Sequence, residues 1–154
     1  MKQTIVFLMI CAIVYGCGQS GSQGSTDSSA GKTAMSTEEY DPKRGEGKFD
    51  SVELEDQLDV PMATEGKLIS DLKCASCHKY TDERLVGPGW EGVTSKHRPE
   101  WIMNFITNPD PMIDKDPELQ AQLEICLVRM PNQNLSDDDA RAILEFMRQN
   151  DGLE

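Results

Sequence analysis

The chain has 154 residues, 27 acidic against 15 basic for a formal charge of −12, and 38% of it is hydrophobic with only 6% aromatic. That length leaves room for one modest domain and excludes a second sizeable core. The acidic excess argues against nucleic acid as a partner and against direct attraction to an anionic lipid surface, and favours partner proteins with a basic docking surface.

The chain opens with Lys2 and a nearly unbroken apolar run from Ile5 to Tyr15, the order of a secretory signal. The run is shorter than the roughly 20 apolar residues a transmembrane helix needs. Val14-Tyr15-Gly16-Cys17 resembles a bacterial lipobox, with Tyr15 where that pattern has a small residue. Residues 1–16 are therefore read as a lipoprotein signal peptide, and Cys17 as the acylated first residue of an exported protein held on the periplasmic side of a bacterial membrane.

From Gly18 to Gly31 almost every residue is Gly, Ser, Gln or Thr, a composition with no apolar face to bury. Residues 32–61 are charged, with isolated Tyr40, Phe49, Val52, Leu54 and Leu58, so their packing stays open at this level. Residues 17–61 together read as a polar tether, and 62–154 as the folded domain.

A first helix is expected from Thr64, with Leu68, Ile69 and Leu72 on its apolar face, running into Cys74. There the chain reads Cys74-Ala75-Ser76-Cys77-His78, the C-x-x-C-H pattern of c-type haem attachment. Two thiols one helical turn apart can add across the two vinyl groups of one haem, and the adjacent imidazole then stands over the iron. A zinc site would need a second ligand pair, and only His97 and Cys126 are left in the domain. A redox dithiol would need a βαβ context, and no β-branched strand run precedes Cys74.

Val86-Gly87-Pro88 follows as a turn. A second helix is expected from Pro99 through Trp101, Ile102, Phe105 and Ile106, stopped by Asn108-Pro109. A third starts after Asp116-Pro117, with Leu119 and Leu123, and reaches Cys126. Met130-Pro131 and Asn132-Gln133-Asn134 form a loop, and a last helix runs from Ser136 to Gln149, with Asp139 completing a capping box and Ala140, Ile143, Leu144 and Met147 turned inward. No strand pattern stands out, so the expected fold is all-α. Trp90 and Trp101 read as core residues before propionate donors, and Cys126 as a buried apolar residue before a reactive thiol.

A helix leading into CxxCH, then Gly87-Pro88, Met130-Pro131 and a C-terminal helix, in that order, resembles class I monohaem cytochrome c over roughly residues 62–154. The resemblance implies about four helices packed around one covalent haem c. It also implies that Pro88 accepts a hydrogen bond from the His78 ring, and that His78 and Met130 are the two axial ligands. Among the other candidates for the sixth position, Met112 lies in loop-like sequence and is the main rival. His97, between Lys96 and Arg98, reads as a solvated surface residue. A His/Met pair fills both axial sites, which suits an electron carrier shuttling single electrons between respiratory complexes and leaves no place for a small-molecule substrate. A gas or redox sensor, a peroxidase, or a cytochrome subunit of a larger oxidoreductase would be the other uses of such a motif.

Overall fold

The structure is a computed structural model that describes residues 40–154. The residues read as a signal peptide, the expected acylation site Cys17 and the first part of the expected tether lie outside the described residues. Six helices follow one another: α1 (Val60–Lys73), α2 (Val93–Lys96), α3 (Pro99–Thr107), α4 (Pro109–Lys115), α5 (Pro117–Cys126) and α6 (Asp137–Asn150). The described residues contain no strand, as an all-α fold requires, and two short helices add to the four expected.

Local chemistry explains where each helix starts. Asp59 caps α1 by accepting from the Met62 amide at 3.0 Å, and Pro61 follows in the first turn, where its missing N–H costs nothing. Helix α1 therefore begins four residues before Thr64, whose hydroxyl donates to the Val60 carbonyl inside the helix instead of capping it. Asn108 ends α3 and also stands at the N-cap of α4, with Pro109 opening the new helix. The sequence marks the stop there; the restart places Met112, expected in a loop, inside a helix and fully buried. Asp116 caps α5, and Ser136 and Asp139 cap α6 reciprocally, at 3.0 and 3.1 Å.

The main contact between helices is α1 against α6. The face that α1 buries is Ala63, Gly66 and Ser70, not the leucines: Leu68 is 62% and Leu72 87% exposed. Spacings of three and four put these small residues on one stripe. A β-carbon added at Gly66 would stand 1.9 Å from the Ala142 carbonyl oxygen, so backbone meets backbone at the crossing. A leucine side chain cannot approach that closely, so small residues make the crossing; of the expected face, Ile69 packs against the core and Leu72 lines a cleft beside the helix end. Behind the crossing, Ile102, Met103, Ile143, Leu144, Phe146 and Met147 form the core.

Residues 40–59, read from sequence as the end of the tether, lie along this unit as a strap. Tyr40, Phe49, Val52 and Leu54 pack on the core. Four buried polar side chains hold the strap by its backbone or its phenol, Glu100 among them by accepting from the Val52 amide at 3.4 Å. Asn104 accepts from the Phe49 amide at 2.9 Å and donates to the Arg44 and Phe49 carbonyls at 3.1 and 3.0 Å. Asp116 accepts from the Tyr40 hydroxyl at 2.5 Å. Glu145 accepts from the Asp59 amide at 2.9 Å. Isolated apolar residues among charges gave no period to read, and the anchors that complete the fit come from distant helices.

Candidate functional site

The last residue of α1 is Lys73, and Cys74 caps the helix with its amide bonded to the Ser70 carbonyl at 2.8 Å. The turn that follows is closed by its own backbone: the Cys77 and His78 amides both donate to the Cys74 carbonyl at 3.0 Å. The Gly-Pro loop then returns on it. Val86 and Gly87 amides donate to the Cys77 carbonyl at 3.1 and 2.8 Å, and the Trp90 amide to the Lys79 carbonyl at 3.0 Å. The two segments form one small backbone-bonded unit.

Within that unit His78 Nδ1 lies 2.9 Å from the Pro88 carbonyl oxygen. A carbonyl can only accept, so Nδ1 carries the proton and the lone pair of Nε2 is free. Gly87 lies flat against the same ring: a β-carbon there would stand 2.4 Å from His78 Cε1 and 2.8 Å from Nδ1. Trp90 backs the imidazole at 5.7 Å between ring centroids, and Tyr80 and Phe146 continue the aromatic cluster towards α6. Burial holds the His78 pKa below the usual histidine range, the bond to Pro88 opposing it, so the ring is a neutral donor. Burial also pushes the Cys74 thiol up to about 11. A dithiol redox centre works through a lowered thiol pKa, and this environment supplies the opposite.

Cys74, Cys77, His78, Pro88 and Met130 all line one cleft of about 340 Å³. An adjoining cavity of about 160 Å³ shares His78, Pro88, Phe105, Leu119 and Met130 with it. The walls are apolar, with Leu72, Val86, Ile113, Leu123 and Val128 among them. The site residues predicted within the described chain thus come together from α1, the Gly-Pro loop and the loop before α6. A flat, largely apolar macrocycle is the group this set of residues fits: two thiols that could form thioether bonds, a neutral imidazole that could face its metal, and a thioether in the same lining. The flat glycine cradle behind His78 allows the ring to stand in that position.

Of the rival sixth donors, Met112 is placed elsewhere, and His97 lines the adjoining cavity but not the cleft. Met112 lines neither cavity; it is buried under Gly45, where a β-carbon would stand 2.4 Å from its Cε, so glycine with φ +74° is required above it. His97 is not a solvated surface residue, since its ring stacks on Trp101 at 3.8 Å with an interplanar angle of 14°. Burial, then the charge of Lys96, lower its pKa. Trp90 and Trp101 are both core residues, and the Trp101 indole N–H is directed at Asp116 at 3.5 Å. Cys126 departs from its expected burial. It is half-buried on the wall of the cleft, and Arg84 reaches its Sγ at 2.7 Å and Gln122 at 3.0 Å. The spacing Leu119, Gln122, Leu123, Cys126 on α5 carries that signal, because it puts all four on the face turned to the cleft.

The family model for cytochrome c matches residues 63–151. Among solved structures, the chain is similar to a cytochrome c from Rhodothermus marinus at 35% identity. That match has a TM-score of 0.66 and covers 68% of this chain and 90% of the other. Engineered forms of the Rhodothermus marinus protein match at 34% identity with the same coverage, at TM-scores of 0.65 and, for one bound to a carbene intermediate, 0.62. No curated protein sequence matches the chain. With the CxxCH turn, the Gly-Pro loop and the methionine loop gathered around one cleft, the chain belongs to the cytochrome c family, electron-transfer proteins that carry one covalently bound haem c.

Proposed function

We propose that this cytochrome is an exported, membrane-tethered electron carrier with His/Met axial ligation, acylated at Cys17 and shuttling single electrons between respiratory complexes. Cys74 and Cys77 hold the haem, His78 is the proximal ligand oriented by Pro88, and Met130 is the sixth ligand. The haem supplies the one-electron couple. The chain's part is to fix the imidazole, to present a soft thioether that favours the reduced iron, and to surround both with apolar walls.

The observation that carries this reading is the 2.9 Å contact from His78 Nδ1 to the Pro88 carbonyl, which leaves Nε2 as a free donor in the cleft that Met130 also lines. The lipobox-like Val14 to Cys17 supports the anchor, and the formal charge of −12 supports a partner with a basic docking surface. The charged residues lining the cleft of about 340 Å³ are Lys73 and Arg129, so the acidic excess that would meet such a partner lies outside that lining.

The test is an absorption spectrum of the purified holoprotein, oxidised and dithionite-reduced, with and without carbon monoxide. Wild type should be low-spin, show the weak near-infrared sulfur-to-iron band when oxidised, and ignore carbon monoxide when reduced. Met130→Ala should lose that band and bind carbon monoxide. A high-spin wild type that shifts with carbon monoxide would sink the closed-iron carrier.

A further inference from the structure

Met130 sits in a segment with almost no structure of its own. Between Leu127 and Asn134, both at positive φ (57° and 52°), the chain belongs to no helix. None of residues 128–135 takes part in a backbone–backbone hydrogen bond. What holds the loop is a set of side chains. Lys73 donates to the Gln133 carbonyl at 3.1 Å, and Asn132 to the Thr107 carbonyl at 3.1 Å. The densest tie is Arg129, the residue beside Met130. Its guanidinium makes three bonds to α4: Nε to the Asp110 carboxylate at 2.7 Å, Nη2 to the Asp110 carbonyl at 3.1 Å, and Nη2 to the Asp114 carboxylate at 2.8 Å.

The platform that receives these bonds is rigid. Asp110 and Asp114 stand one turn apart on the outer face of α4, whose inner face buries Pro109, Met112 and Ile113. Met112 is pinned in turn beneath Gly45 of the strap. A planar fork matched to two carboxylates is the geometry in which an arginine tie exceeds an ordinary surface pair. Lysine, a single point charge, cannot make the three bonds together.

We propose that Arg129 is a positioning residue for the sixth ligand: its fork on Asp110 and Asp114 latches the loop so that Met130 stays at the iron, and release of the fork exposes the iron to small exogenous ligands. The inference rests on the Met130 ligation proposed above. Because no backbone bond opposes movement of the loop, these side-chain ties are what restrains it besides the proposed bond from Met130 to the iron, and they shift the fraction of molecules with Met130 displaced. The latch therefore acts on ligand access and leaves global folding largely alone.

Imidazole titration of the oxidised holoprotein, followed by the near-infrared band, tests it. Arg129→Gln should bind imidazole about tenfold more tightly than wild type, the scale of one lost charge-assisted bond. Asp114→Asn, which leaves the loop sequence intact, should shift affinity the same way by less, and Arg129→Lys should fall between wild type and Arg129→Gln. Arg44→Gln removes a comparable exposed arginine tie, to Asp50 and the Gly47 carbonyl, on the strap; it should leave imidazole affinity at the wild-type value. Unchanged affinity in both Arg129→Gln and Asp114→Asn overturns the latch, and so does an equal gain in Arg44→Gln, which would mark a general loosening. If Met130→Ala keeps the near-infrared band, the ligation reading itself fails and the latch with it. If Met130→Ala loses the band while the latch variants behave as wild type, the latch alone fails.

Discussion

The two sides of the cleft are built by opposite means. On the His78 side, backbone is bonded to backbone: the CxxCH turn closes on Cys74, and the Gly-Pro loop closes on Cys77 and Lys79. Behind it α1 meets α6 with no side chain between Gly66 and the Ala142 carbonyl. On the Met130 side, residues 128–135 have no such bonds and are tied by Arg129, Asn132 and Lys73. The difference teaches where each kind of change should act. Changes on the first side meet groups that cannot move aside, and damage the fold. Changes on the second release a loop, and alter access to the iron.

The largest effect should therefore come from the smallest substitution at the crossing. In an exposed helix, Gly→Ala stabilises by about 1 kcal/mol, because alanine has less backbone entropy to lose. At Gly66 the added carbon would stand 1.9 Å from the Ala142 carbonyl oxygen and 2.9 Å from the Ile143 amide nitrogen, both backbone atoms. The sign should reverse, with Gly66→Ala losing about 3 kcal/mol or more as the helices are forced apart. Thermal unfolding of the holoprotein measures this, and a variant as stable as wild type would show that the crossing can open at little cost.

Next comes Gly87→Ala, where backbone meets a ring instead of backbone. The added carbon would press on His78 Cε1 and Nδ1, and an imidazole can turn. The expected loss is about 2 kcal/mol, together with a lengthened bond from Nδ1 to Pro88. Resonance Raman of the reduced protein, which reports the iron–histidine bond in carbon monoxide-free high-spin species of a Met130→Ala background, should show a shifted stretch. An unshifted stretch would mean that the ring is not seated on Gly87.

This contrast also decides what could be read without coordinates. The CxxCH turn, Gly87-Pro88 and the Ser136-Asp139 cap are legible because local backbone chemistry dictates them, and the structure agrees at each. The crossing of α1 with α6 is hard to read because large apolar residues such as Leu68 draw the eye, whereas a close crossing selects small ones: Ala63, Gly66 and Ser70. The strap is illegible for another reason. Nothing in residues 40–59 shows that Asn104, Asp116 and Glu145 wait 45 or more positions away to bind it, since only the fold brings them there. Likewise, Arg129 and the α4 carboxylates form a site only once Asn108-Pro109 is seen to start a helix as well as end one.

The smallest of these effects belongs to the strap's tie at Glu145, and pH sharpens it. Glu145 is 1% exposed and holds Arg141 at 2.7 Å, Arg148 at 2.8 and 2.9 Å and the Asp59 amide at 2.9 Å. Burial alone would raise its pKa, but the bonds from Arg141, Asp59 and Arg148 outweigh it and hold the carboxyl below the usual carboxylate range. A group whose folded pKa is depressed contributes stability that is fully present above its unfolded pKa, about 4.3, and is lost as pH falls through the lower folded value. Glu145→Gln keeps the shape and an acceptor while removing the charge, and should lose about 1.5 kcal/mol at neutral pH, the scale of a charge-assisted hydrogen bond. The gap between wild type and variant should stay constant down to about pH 5 and close below about pH 4, as the wild-type carboxylate takes up its proton. Acidic residues common to both proteins cancel in that difference. A gap that persists undiminished into the acid range would mean that Glu145 holds the strap by shape and neutral hydrogen bonding, and that its charge contributes nothing to the tie.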